Sequence, residues 1–282
     1  MRNPRRTEKI AFFFLFLATA LIVLPVGLIV VSIVRKGLPA ISWQFLTDVP
    51  REGMRGGGIL PAIVGTLYLV LGAIVFALPI GLFAAIYLSE YAKDNVLTRI
   101  IKLAIVNLAG VPSVVYGLFG LALFVVFFRF GASILSGSLT LGIMVLPIII
   151  TASREALESV PQAFREVSLS LGASKWQTIR HVVLPNGISG ILTGTILGLG
   201  RAAGETAPIL FTVAAFYHPQ LPRSIFDQAM ALPYHLYVIS TQVPNVGDKM
   251  RYGTALVLLG LVLIMNSVAL VVRFRFRKRH RW

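Results

Sequence analysis

The sequence predicts an all-α integral membrane protein, with six transmembrane helices in a single domain over residues 1–282 and a structured loop on one face. Three observations predict it. The 282 residues are 56% hydrophobic and only 13% charged, with a mean hydropathy of +0.83, which is too apolar for a soluble domain. Uncharged stretches long enough to cross a bilayer recur along the chain, about 20 apolar residues sufficing for a helix. Those stretches lack the period-2 alternation of a barrel strand.

The first span, residues 10–34, follows a basic start (Arg2, Arg5, Arg6, Lys9). Its 25 residues are uncharged and no convincing small-residue cleavage site follows, so it reads as an uncleaved membrane helix, not a signal peptide. Further spans are expected at about 60–88, 103–128, 133–152 and 252–272. A sixth, about 188–216, is interrupted only by Arg201 and Glu205. Most spans carry a proline (Pro25, Pro79, Pro112, Pro147, Pro208), which membrane helices tolerate as kinks. Pro208 stands apart because it follows Glu205 by three residues and can free carbonyls beside the charged pair. Gly190, Gly194 and Gly198 form a small-xxx-small ridge, open to close approach by a helix of this chain or of a partner across a translocation path.

Six spans put both termini on one side. The segments on that side hold 17 basic residues and the opposite ones 8, which places the termini in the cytoplasm. The net charge of +15 does not point to nucleic acid, because the basic residues cluster at the ends of apolar segments, where they meet lipid headgroups. The run from Arg273 to Trp282 reads as such an interfacial anchor. There is no Cys, and the four His (His181, His218, His235, His280) have no ligand spacing, so no metal site is expected.

The central cytoplasmic loop, residues 153–187, has structure of its own. Ser159-Val-Pro-Gln162 reads as a capping box opening a helix over 161–171, which Gly172 ends in the left-handed geometry. Ser174-Lys-Trp-Gln177 is a second capping box, opening a helix that Pro185 stops. Phe164, Leu171, Trp176 and Ile179 give the loop apolar surface, and helices this short need something to pack against, either the bundle or a cytoplasmic partner.

Arg201 and Glu205 lie four residues apart, on one helix face and within reach of each other. Charges at that depth are expensive and are normally turned inward and paired. A register-fixing ion pair and a substrate path both fit that pattern. The neighbouring Thr206 is a weaker candidate donor.

Glu166, Gly172 and Val182-x-Leu184-Pro185 match the loop pattern E-A-A-x3-G-x9-I-x-L-P of bacterial ABC importer permeases, with Val167-Ser168 in place of Ala-Ala and Val182 for Ile. Arg201-Ala-Ala-Gly-Glu-Thr-Ala-Pro208, the stretch from Leu108 to Gly120 and the stretch from Gly58 to Tyr68 resemble the phosphate-importing branch of that family. The resemblance covers nearly the whole chain. It implies a type I ABC importer permease fold, in which the loop is a coupling helix docking on an ATPase through Arg165, Glu166, Gly172, Leu184 and Pro185. It also implies three partners: a second permease, a pair of ATPase subunits that bind ATP and Mg, and an extracytoplasmic phosphate-binding protein. On that footing Arg201 is a transient partner for phosphate, since guanidinium forks two hydrogen bonds to phosphate oxygens. Glu205 moderates it, pairing with Arg201 until phosphate displaces it.

No G-x-x-x-x-G-K-[ST] loop is present, so the chain is a transport subunit and not itself the ATPase. A permease for another oxyanion keeps the same architecture. A gradient-driven secondary carrier would show internal repeats, of which none is convincing, and would leave the loop unexplained. A non-transporting scaffold would tolerate changes at Arg201 and Glu205.

Overall fold

The computed structural model describes the backbone of residues 4–279 and the side chains of residues 8 and 12–275. The basic residues Arg2, Arg5, Arg6 and Lys9, and residues 276–282 of the expected anchor from Arg273 to Trp282, lie outside the described side chains.

The chain opens with α1 (Pro4–Gly37), followed by a short segment of mixed structure. That segment holds α2 (Trp43–Thr47), capped by Ser42 Oγ accepting from Phe45 N, and a two-stranded hairpin, β1 (Pro50–Arg51) and β2 (Gly56–Gly57). The hairpin is antiparallel, with Pro50 opposite Gly57 and Arg51 opposite Gly56. Its turn places Glu52, Gly53 and Met54 all at positive φ, and buried Met54 pins it to the bundle.

α3 (Leu60–Ile86) and α6 (Ile134–Glu158) are the central pair. Their small and apolar residues, Leu69, Ala73 and Ala77 with Leu141, Met144, Val145 and Ile149, are all buried in the main core. α9 (Leu184–Gly204) lies against α6, and α12 (Asp248–Arg279) against α9 and α1. The first turn of α6 would leave free N–H groups; Ile134 N and Leu135 N donate instead to the carbonyls of Asp227 and Ile225 in the 213–231 loop. In that loop the Asp227 carboxylate accepts from Arg223 N and Ser224 N, which hold it below its usual range. α11 (Leu232–Thr241) follows, and Leu232 N donates to the buried Thr66 hydroxyl on α3 at 2.8 Å. The outer faces of α1, including Phe12, Leu21 and Leu28, are apolar and exposed, as a lipid-facing helix requires.

Among the described residues five helices are long and apolar enough to cross a membrane, and the bent pair α4 (Val96–Ala109) with α5 (Ser113–Gly120) and its extension to Phe127 makes a sixth when counted as one span. The expected continuous span at 103–128 is therefore wrong in form: it bends by 101° between Ala109 and Ser113. Pro112 is the cause, since it bars its predecessor Val111 from the helical region just after Gly110. The expected span at 188–216 is likewise not one helix. α9 ends at Gly204, Glu205 is extended, and α10 (Ala207–Thr212) restarts the chain. Pro208 has no N–H to give the Gly204 carbonyl four residues back, so the ladder fails at that point.

Two further corrections concern the loop. Ser159 does not cap a new helix; it closes α6, its N–H donating to Glu155 O and its hydroxyl to Ala156 O. Pro161 keeps Val160 out of the helical region, so α7 (Gln162–Ser170) starts after the proline and the serine is too early to cap it. Nor does Pro185 stop the second helix. α8 (Lys175–Thr178), a π-turn (Ile179–Val183) and α9 form one continuous helix of 30 residues. In the π-turn, Leu184 N bonds to Ile179 O five residues back, which resets the ladder just ahead of the proline.

Candidate functional site

Two helix breaks come together where α5 packs on α10. One is the Gly110–Pro112 bend between α4 and α5; the other is Glu205–Thr206 between α9 and α10. The Tyr116 hydroxyl donates to Leu108 O at 2.7 Å across the first break and so holds its angle. α5 then lies against α10 through Gly117. A Cβ there would sit 2.8 Å from Phe211 Cδ2 and 3.0 Å from both Ala207 O and Pro208 Cα, so any larger side chain forces its neighbours to shift.

Arg201 stands in the last turn of α9, where free carbonyls favour a cation, and within electrostatic reach of Tyr116. Its Nε is 3.5 Å from Glu205 Oε1, at the outer limit of a hydrogen bond, and the two side chains are 31% and 19% exposed. Neither Nη atom makes a hydrogen bond among the described residues. The forked end of the guanidinium is therefore available to an anion, and Glu205 holds only its flank. Thr206 precedes α10 and its hydroxyl makes no hydrogen bond among the described residues, whereas that of Thr212 within α10 donates to Pro208 O.

Sequence reasoning missed Asn266 on α12. Its Oδ1 is buried without a partner, and a Cβ on Gly200 would lie 3.3 Å from it, which puts the amide beside the residue preceding Arg201. The available signal was a single amide within the otherwise apolar 252–272 stretch.

The glycine ridge packs within the chain. A Cβ on Gly190 would collide with Ala156 Cβ and one on Gly194 would lie 2.5 Å from Ala152 Cβ, both on α6; Gly198 faces Ile149 of the same helix. The ridge thus seats α9, and with it Arg201, directly on α6.

At the loop end of the bundle, Gly172 has φ +84° and the Ser174–Gln177 capping box forms in both directions. Glu166 is exposed, as are Val167, Leu171 and Trp176, which give this end an apolar surface, while Leu169 lines a cavity with Glu90 and Arg165. Leu184 packs inward on a small separate core of Ile86, Leu157, Val160, Ile179 and Val183, and Pro185 begins α9 half-buried. Arg165 also turns inward. It lies against Glu90, which had drawn no attention in the sequence.

The family model described as the binding-protein-dependent transport system inner membrane component matches residues 77–281, a range that takes in both breaks, the loop and the charged pair. The chain belongs to this family. As a transport permease subunit it is 33% identical to the probable ABC transporter permease protein YqgI of Bacillus subtilis, with 95% of each chain covered. It is also 33% identical to the phosphate transport system permease protein PstA 1 of Mycobacterium tuberculosis, over 99% of this chain and 91% of the relative. A probable PstA of Methanocaldococcus jannaschii matches at 33% over 96% and 94%. Among solved structures, an ABC transporter involved in alginate import superposes with a TM-score of 0.64 over 96% of both chains at 15% identity. The inward-facing MetNI methionine ABC transporter does so at 0.61, over 77% of this chain and 97% of that one, also at 15% identity. These two likenesses establish that the permease has the fold of ABC importer membrane subunits.

Proposed function

We propose that this permease subunit carries inorganic phosphate across the membrane in an ATP-driven importer, with Arg201 as the transient partner of the anion. The observation that carries the reading is the Arg201 guanidinium, which sits at a helix break with its forked end unbonded and Glu205 at 3.5 Å on its flank. A fork of two N–H donors matches two phosphate oxygens, and a loosely held carboxylate can be displaced and can return. Return of Glu205 lets the anion leave, which a permanent site would not. A carboxylate also accepts a hydrogen bond from a protonated phosphate oxygen, which a fully ionised oxyanion cannot donate. The phosphate names of the relatives support the same cargo.

In this reading the path is completed by a second permease subunit. The exposed surface of Val167, Leu171 and Trp176, with Glu166, docks on a cytoplasmic ATPase that holds ATP and Mg. A phosphate-binding protein delivers cargo to the outer face. Both termini are cytoplasmic, in agreement with six crossings and the basic bias of the loops. Cells relying on this complex should take up labelled phosphate with little competition from a large excess of sulfate. Uptake displaced equally by sulfate would move the reading to a general oxyanion importer.

A further inference from the structure

α7 contains no fully buried residue, so apolar packing holds it to the bundle only weakly. Phe164 lies half-buried on the small separate core, and Ser168 Oγ shares a hydrogen bond with Thr178 Oγ1 at 2.9 Å. The strongest tie is Arg165. Its Nη2 is 2.7 Å from Glu90 Oε1, and Nε is 3.2 Å from each Glu90 oxygen. Nη1 donates to Val160 O at 2.7 Å and Nη2 to Leu157 O at 2.9 Å, where α6 ends and leaves carbonyls free. The two side chains are 11% and 8% exposed. One guanidinium therefore joins three elements: α7 that carries it, the end of α6, and the π-turn Tyr87–Tyr91 that ends α3. Beside it a cavity of about 370 Å³, lined among others by Ser89, Glu90, Gln162 and Arg165, leaves α7 room to shift if the tie is released.

The contrast with Arg201–Glu205 decides the role. That pair is long and half-open and uses one nitrogen; this one is short, shielded and uses two, with the third nitrogen bonded to the Val160 carbonyl. An ion pair this short and this fully bonded is suited to holding geometry, not to exchanging partners.

We infer that Glu90 is a positioning residue for energy coupling: clamped to Arg165, it makes α7 one rigid body with the cytoplasmic ends of α3 and α6. Motion imposed on α7 then reaches α6 directly, and α6 carries it to Arg201 through the Gly190–Gly198 seat of α9. The inference rests on the reading above that α7 is the surface the ATPase moves.

The test compares wild type with Glu90→Gln in the assembled complex, reading labelled phosphate taken up per ATP hydrolysed. The expected result is normal co-purification of the ATPase, continued ATP hydrolysis and a roughly tenfold lower ratio. Adding Arg165→Gln should lower it no further, because both changes release one clamp. A wild-type ratio in Glu90→Gln, or additive losses in the double variant, overturns the inference. Should Glu90→Gln fail to assemble, Glu90→Asp keeps the charge and withdraws it by one methylene; it should show the same uncoupling in milder form, and a wild-type ratio there overturns the inference equally. Hydrogen exchange of amides 162–170 reads the clamp whatever the cargo: protection should fall in Glu90→Gln, and unchanged protection counts against it. If the cargo reading alone is wrong, wild type itself takes up no phosphate while the exchange difference persists.

Discussion

Arg201→Gln reduces phosphate uptake on the order of a hundredfold, the scale expected when a positioned donor to a charged group is lost from a water-poor site. Gln keeps most of the side-chain length, so the loss is of charge and of the fork, not of packing. Arg201→Lys falls between the two, because it keeps the charge as a single point and cannot grip two oxygens at once. Glu205→Gln fails in the opposite way: with its competitor gone, Arg201 holds the anion longer, so phosphate binds more tightly and is released more slowly. Were the pair a structural one, Arg201→Gln and Glu205→Gln would both lower the yield of folded complex and leave what folds fully active. The 3.5 Å separation and the two unbonded Nη atoms argue against that, particularly beside the fully bonded Arg165.

Gly117→Val is expected to silence transport while the helices still form. Gly117 is where α5 touches α10, so an added side chain meets Ala207 O and Pro208 Cα, which are backbone atoms that cannot rotate away. Overpacking of this kind costs about 1–3 kcal/mol, enough to shift a two-state arrangement of the breaks roughly 5- to 150-fold. Circular dichroism should report unchanged helix content and uptake should be close to background. Normal uptake by Gly117→Val would mean that the two breaks need not meet for transport.

The crossings were legible because a bilayer demands long uncharged helices, and 10–34, 60–88 and 252–272 announce themselves by composition alone. The breaks were only half legible. Pro208 was visible as a source of free carbonyls beside Glu205, but Pro112 looked like an ordinary kink, since nothing local states that Tyr116 will fold back to Leu108 O and fix a 101° bend. In the loop, the Ser174 box was readable because its partners lie three residues apart. Ser159 misled for a similar reason: its match to the pattern is local, while Pro161 decides where the helix starts. Pro185 misled because a π-turn can absorb a proline that an α-helix cannot. The family resemblance puts Arg165 among the ATPase-docking residues. Its partner within the chain, Glu90, is 75 residues away, a distance no local pattern spans. Asn266 stayed hidden because a lone amide carries no spacing at all.

The most direct test of the central claim is labelled phosphate uptake into proteoliposomes holding the assembled complex, with its binding protein supplied and no ion gradient imposed. The account predicts uptake that requires ATP and Mg on the ATPase side, persists with ionophores present and is lost with Arg201→Gln at equal assembly. Uptake that proceeds without ATP and collapses with the gradient, or that is untouched by Arg201→Gln, would contradict it.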